Sequence, residues 1–156
     1  MNQLELFQKP KSADEMFCFA VYSASHIITR AYAPMLKALG LTYPQYITMT
    51  MLWEKDHQSV GDLCKRLRME SNTLTPLLKR VEALGLIKRK RDAKDERRVL
   101  VSLTGAGKSM QEKAPPITAC MIQATGMTPK ELGDLVHNLR VLGDRLAHQD
   151  LAVEEP

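Results

Sequence analysis

The hydrophobic positions change period several times along the chain, and each change marks an element. Between Ser12 and Gly40, apolar residues recur at helical spacing but occupy more than one face: Met16, Phe17, Phe19, Ala20, Val21, Ala24, Ile27, Ile28, Ala31, Met35, Leu36 and Leu39. A helix this broadly apolar is covered on two sides, by its own core and by something else, for which a partner subunit is the economical choice. Ser12 with Glu15 fits a capping box opening that helix, Gly40 fits its stop, and Pro34 predicts a bend or interruption. Residues 1–11 read as a flexible arm. Thr42-Tyr43-Pro44 predicts entry into a second helix over about 44–55, with Tyr43 extended before the proline and Ile47, Met51 and Leu52 inward. Two short helices follow. One carries Val60, Leu63, Cys64 and Leu67 behind a Ser59/Asp62 cap; the other carries Leu74, Leu77, Leu78, Val81 and Leu84 behind Ser71. Gly85 sits where a left-handed C-terminal cap belongs. With a tight junction at Met69–Glu70, the pair is a helix-turn-helix candidate.

Beyond Gly85 the period shortens to two. Leu86–Arg91 and Val99–Leu103 read as strands around the polar loop DAKDER, which turns the helix pair into a winged helix-turn-helix. Thr104 predicts a further helical region to about 125, with Met110, Ala114, Ile117, Met121 and Ala124 on one face and Pro115-Pro116 kinking or splitting it. Thr128 with Glu131 caps a last helix. Its Leu132, Leu135, Leu139, Leu142 and Leu146 alternate gaps of three and four, a narrow seam suited to pairing with another helix. The expected fold is mainly α with a small β-hairpin wing, a single domain over 1–156. The expected winged module spans residues 59–103, flanked by helices over 12–40 and 104–149 that are expected to dimerise.

Charge sharpens this picture. Residues 59–103 hold twelve Lys and Arg against six acids, a net +6, whereas the whole chain is only +4, which leaves −2 elsewhere. Positive charge gathered in one module is the footprint of phosphate binding, so residues 59–103 are expected to be the DNA-binding module. No apolar run is long enough to cross a membrane, and the start lacks a secretory core, so a cytoplasmic protein is expected. Three widely spaced cysteines form neither a disulfide framework nor a CxxC metal site. Phosphate loops, zinc pairs and nucleophile elbows are missing, so the chain reads as a non-enzyme that needs no cofactor or metal. Residues 71–76 begin the recognition helix. Ser71, Asn72, Thr73 and Thr75 offer hydrogen bonds to base edges, and Pro76 an apolar contact to a thymine methyl. Lys65, Lys79 and Arg80 suit phosphates. Cys64, on an apolar stripe, reads as core filler.

Helices flanking a winged module that carries DERR resemble the MarR family of bacterial transcription regulators, over about residues 12–149. FCFAVYSASH at 17–26, Tyr32, LTYPQY at 41–46, LTPLLKR at 74–80 and the DERR wing are further similar to that family's organic-hydroperoxide-sensing OhrR subgroup. The resemblance implies a homodimeric repressor on a pseudo-palindromic operator, with organic hydroperoxide as inducer. Arg97 would enter the DNA minor groove, Asp95 would hold it, and Arg98 would add wing charge. Cys18 takes the position of the peroxide-sensing thiol, and Tyr32 and Tyr43 those of two tyrosines that hydrogen-bond its sulfur. Phenolic donors favour a thiolate without introducing a charge. The predicted start at Ser12 puts Cys18 beyond the first helical turn, where the helix dipole adds little. Cys120 is the candidate resolving thiol, although the family's second-cysteine position falls at Gln123, one turn away. Core filling at Cys120, with a small thiol capping Cys18, is the alternative. Two other readings stay open: a MarR-type repressor switched by a small aromatic ligand, and a thiol peroxidase.

Overall fold

The computed structural model describes residues 12–149, so the N-terminal arm expected over 1–11 lies outside the described residues. The chain divides after Thr118 into two compact units.

The first unit opens with a 3-10 turn at Ala13–Glu15, followed by helix α1 at Phe17–Lys37. The helix starts later than the Ser12/Glu15 pattern predicts. Ser12 makes no side-chain cap bond, and Met16 is extended (φ −82°, ψ 121°), which interrupts the hydrogen-bond ladder between turn and helix. Cys18 is therefore the second residue of α1, within its first turn and not beyond it. Pro34 does not interrupt the helix. Position 34 forgoes one backbone donor, and the helix continues for nearly one more turn. Gly40 at φ +68° then lets the Leu41 N–H return to the Leu36 carbonyl at 3.2 Å, closing the helix as expected, although Lys37 is its last residue.

Helix α2, Tyr43–Glu54, begins one residue early because Thr42, not Tyr43, is the extended cap. The Gln45 side chain accepts the Thr42 N–H at 2.8 Å. Tyr46, Met49 and Leu52 are its buried stripe; Ile47 and Met51, expected inward, are only half-buried. Next come strand β1 (Gln58–Ser59), α3 (Val60–Leu67), α4 (Ser71–Ala83), β2 (Ile87–Arg91) and β3 (Val99–Leu103). The wing is the expected antiparallel hairpin, in register Ile87↔Leu103 to Arg91↔Val99. A third strand, β1, pairs with its inner side to give the order β1-β3-β2; two residues are too few to show a period. Ser59 caps α3 as predicted, accepting the Asp62 N–H at 3.0 Å. Ser71 is not a cap: Glu70 is, and Ser71 is the first helical residue of α4. Arg68, left-handed at φ 53° and ψ 41°, makes the turn between α3 and α4.

The core gathers Leu36, Met49, Leu52, Leu63, Leu74, Leu78, Val81, Ile87 and Val101, all at or near complete burial. Each such side chain contributes about 1.5–3 kcal/mol relative to exposure. Leu84, expected on the same stripe, is instead 50% exposed, because it sits at the end of α4 where the chain turns through Gly85 (φ +74°). Helix α5, Gly105–Met110, is capped by Thr104, whose Oγ1 accepts the Gly107 N–H at 3.0 Å. A second 3-10 turn, Gln111–Lys113, leads into α6, Ala114–Ala124. Pro115 and Pro116 fall in the first turn of α6, where no backbone donor is needed, so the expected split occurs just ahead of them.

The second unit, from Ala119, contains the rest of α6, a turn at Gly126 (φ +64°) and helix α7, Pro129–Ala147. The Thr128/Glu131 capping box forms: the Thr128 N–H donates to Glu131 at 2.8 Å, and the Glu131 N–H donates to Thr128 Oγ1 at 3.3 Å. None of α7 is buried, its leucine seam included. Among the described residues no helix is long and apolar enough to cross a membrane.

Candidate nucleic-acid interface and thiol site

Three elements of the winged module converge on an open cleft of about 630 Å³. Ser59, Val60, Asp62 and Lys65 of the α3 region, Ser71 and Thr75 of α4, and Arg89, Arg97, Arg98 and Val99 of the wing line it. Five of the residues singled out for DNA contact are thus brought together: Lys65, Ser71, Thr75, Arg97 and Arg98. Asn72, Thr73, Pro76, Lys79 and Arg80 are exposed on α4 outside that lining. Thr73 donates its hydroxyl to Asn72 Oδ1 at 3.2 Å.

The wing tip is organised by one carboxylate. Asp95 Oδ1 accepts both the Arg97 backbone N–H, at 3.1 Å, and the Arg97 Nε–H, at 3.2 Å. The Arg97 side chain is 92% exposed. The guanidinium is held at its base while its fork stays free for a partner, the pairing expected of an Asp-x-Arg wing. Arg98 reaches Asp62 on α3 at 3.5 Å. The Ser59 hydroxyl is the main reason that Asp62 lies below the usual carboxylate range, with Arg98 and Lys65 adding to it.

Two struts were not foreseen. Glu82 of α4 accepts the Arg89 backbone N–H at 2.8 Å and its Nε and Nη2 at 3.0 and 2.8 Å. These bonds hold the Glu82 carboxyl below its ordinary range. Opposite charges flanking Gly85, which turns the chain back, were the available signal. The second is Asp56, which accepts the Leu103 and His57 backbone N–H groups, both at 2.8 Å, and faces Lys108 at 3.6 Å. Burial raises its pKa, but the two backbone bonds and the neighbouring cations outweigh this, and the net shift is downward.

The thiol residues are distributed differently. Cys18 is exposed in the first turn of α1, beside exposed Met16, Phe17 and Phe19. Tyr32 and Tyr43 are half-buried together, ring centroids 4.6 Å apart, with Tyr46 5.9 Å from Tyr32. Burial, and then the neighbouring phenols, raise the pKa of both, so they remain protonated donors. They are not assembled with Cys18. Cys18 and Tyr32 stand fourteen residues apart on one continuous helix, about 21 Å along its axis. Within one chain the two side chains cannot meet. Cys64 packs against the core, and burial raises its thiol pKa, in keeping with a filler role. Cys120 is exposed in the second unit, so core filling does not account for it there. Among the described residues no group of His, Cys, Asp and Glu is placed to hold a metal.

A three-stranded wing on a helix-turn-helix, with a carboxylate-held arginine at its tip, defines a winged-helix regulator, and comparison with known proteins agrees. Residues 30–114, more than half of the chain, match the family model described as "Transcriptional regulator SarA/Rot". The chain belongs to this MarR/SarA class of transcriptional regulators. It is 42% identical to the HTH-type transcriptional regulator TtmR of Methylorubrum extorquens, over 94% of this chain and 75% of that protein. It is 40% identical to the organic hydroperoxide resistance transcriptional regulator of Bacillus subtilis, over 87% of this chain and 92% of that one. Among solved structures it resembles AbfR of Staphylococcus epidermidis. For reduced AbfR bound to DNA the TM-score is 0.72 at 32% identity, covering 85% of this chain and 92% of that one. AbfR is also known in an overoxidised DNA-bound form and a disulfide form.

Proposed function

We propose that this protein is a cytoplasmic, homodimeric repressor that binds a pseudo-palindromic DNA duplex and releases it when an organic hydroperoxide oxidises Cys18. The observation that carries the DNA half is the cleft, where Lys65, Ser71, Thr75 and two wing arginines face one open surface. The start of α4 reads base edges in the major groove, and Arg97, steadied by Asp95, enters the minor groove, where narrow A·T tracts concentrate negative potential.

The redox half rests on Cys18 and on the relatives. In the first turn of α1 the Cys18 thiol is exposed and open to an approaching peroxide. The thiolate attacks the peroxide O–O bond, forming Cys–SOH and releasing the alkoxide, which leaves as the alcohol after protonation. Exposed Met16, Phe17 and Phe19 offer apolar surface to the organic group. Because α1 keeps Cys18 away from Tyr32 of its own chain, the phenol pair that hydrogen-bonds this sulfur is assigned to a second copy. Condensation of Cys–SOH with another thiol, Cys120 or a small cellular thiol, then gives a disulfide and water. Breaking a few hydrogen bonds, at about 1 kcal/mol each, shifts the dimer only modestly. The disulfide is the step that drives release.

The test is a gel shift on a duplex enriched by the wild-type protein from a random-sequence pool, with and without organic hydroperoxide. Wild type should release DNA on oxidation. Cys18→Ser should bind equally well and ignore the peroxide. A Cys18→Ser dimer that still releases DNA, or a wild type indifferent to peroxide but responsive to a small aromatic ligand, would overturn the redox reading.

A further inference from the structure

Resting on the DNA-binding reading above, we propose that Glu82 and Arg89 form a positioning strut that sets the wing at the angle needed for α4 and Arg97 to occupy neighbouring grooves together. Arg89 is one of the twelve basic residues of the module and lines the cleft, so its simplest role would be phosphate contact. Its geometry argues otherwise. All three of its bonds to Glu82 fall within 2.8–3.0 Å, and the side chains are only 21% and 34% exposed. A guanidinium engaged through Nε and one terminal nitrogen presents little of its fork to anything else.

The position of the pair matters as much as its strength. In the order β1-β3-β2, β2 is an edge strand, and Arg89 pairs with Val101 across the hairpin. Glu82 accepts the Arg89 backbone N–H, so the carboxylate takes the place a further strand would occupy. It thereby fastens the wing edge to the C-terminal half of the recognition helix. Arg98–Asp62, at 3.5 Å and half-exposed, is the looser second link, between the wing and α3. The base of β3 is held by β1 and by the Asp56–Leu103 bond, and these two further links set the angle of the rest of the wing.

This assignment reverses the sign that simple electrostatics predicts. Glu82→Ala removes a negative charge from a surface that binds a polyanion and places a stronger helix former in α4. If Glu82 were a bystander, DNA binding would tighten and the helix would be no weaker. If it is a strut, binding to the enriched duplex weakens by about ten-fold, as expected when a charge-assisted pair is lost. Minor-groove protection by the wing should fade first in a hydroxyl-radical footprint, while guanine N7 protection by α4 in the major groove persists. Arg89→Lys keeps the charge but loses the fork, so it should weaken binding with an unchanged salt slope. A phosphate contact would instead keep its affinity in Arg89→Lys, and Arg89→Ala would lower the slope by about one. The exchange Glu82→Arg with Arg89→Glu should recover part of the lost affinity, with the main-chain bond still missing. Circular dichroism and thermal melting report whether each variant is folded. Wild-type or tighter binding by Glu82→Ala, parallel loss of both protections, or an Arg89→Lys indistinguishable from wild type would each overturn the strut. Failure of wild type to enrich any duplex would instead remove the DNA-binding reading itself.

Discussion

A methyl group at position 107 has nowhere to go. A Cβ built there would lie 2.0 Å from the Leu86 carbonyl oxygen and 3.3 Å from the Leu103 side chain. The Gly107 carbonyl meanwhile accepts the Trp53 indole N–H at 2.8 Å. Backbone, not a flexible side chain, is what the methyl meets, so α5 has to move away from the Leu86 peptide just ahead of β2. Gly107→Ala should therefore cost about 1–3 kcal/mol or more, lowering the melting temperature by at least about 3 °C in a thermal scan. At Arg97 the logic is reversed, since so exposed a side chain contributes little to folding. Arg97→Ala should melt like wild type yet bind the selected duplex about ten-fold more weakly in a gel shift. Its Cys18 should react with hydroperoxide at an unchanged rate, as followed by mass spectrometry.

Elements here are joined by carboxylates, and acid tests those joints. Glu82 is lowered chiefly by the Arg89 side chain, and Asp62 chiefly by the Ser59 hydroxyl. A carboxylate whose folded pKa lies below its unfolded value contributes stability that is complete above the unfolded pKa. That contribution disappears as pH falls through the folded one. For Glu82 the unfolded value is 4.5. Resistance to urea should accordingly hold at neutral pH and decline below about pH 4.5. Glu82→Ala should show a smaller change in its urea midpoint between pH 7 and pH 4 than wild type. An identical change in both proteins would mean that this joint contributes nothing.

At the scale of the whole molecule, the exposed large apolar side chains are not scattered. Apart from Leu84 they fall within Met16–Ile28 of the first unit and Ile122–Leu146 of the second, among the described residues. Apolar surface concentrated in this way marks an interface; the first unit offers α1 to the proposed dimer, and the second offers α7 together with Ile122 of α6. In α7, Leu135 and Leu139 are 43% and 44% exposed. The double variant Leu135→Glu, Leu139→Glu should keep its helical circular dichroism but sediment as a monomer. DNA affinity should fall with it, because half-sites bound singly lose the benefit of linkage.

The periodic elements were legible in the sequence because each is dictated by neighbours along the chain. The Val99–Leu103 strand, the Ser59 and Thr128 caps, the Gly40 and Gly85 turns and the Asp95–Arg97 pair all depend on residues a few positions apart. Five cleft residues were also legible, Lys65, Ser71 and Thr75 as a cation and hydroxyls on the helix pair, Arg97 and Arg98 through the family resemblance; Arg89 was not. Tertiary structure decided what depends on distant segments or on competing local geometries. Two-residue β1 exists only because β3 offers it an edge, and Gly107 is required only because Leu86 lies against it. Glu82 and Arg89 meet because Gly85 folds β2 back onto α4. The start of α1 moved from Ser12 to Phe17 because a 3-10 turn with an extended Met16 replaced the capping box. That shift put Cys18 in the first turn, and the unbroken helix through Pro34 set the distance that parts it from Tyr32. The family resemblance grouped Cys18, Tyr32 and Tyr43 as one proposed sensor; the rise of one helix decided that a single chain cannot bring Cys18 to Tyr32.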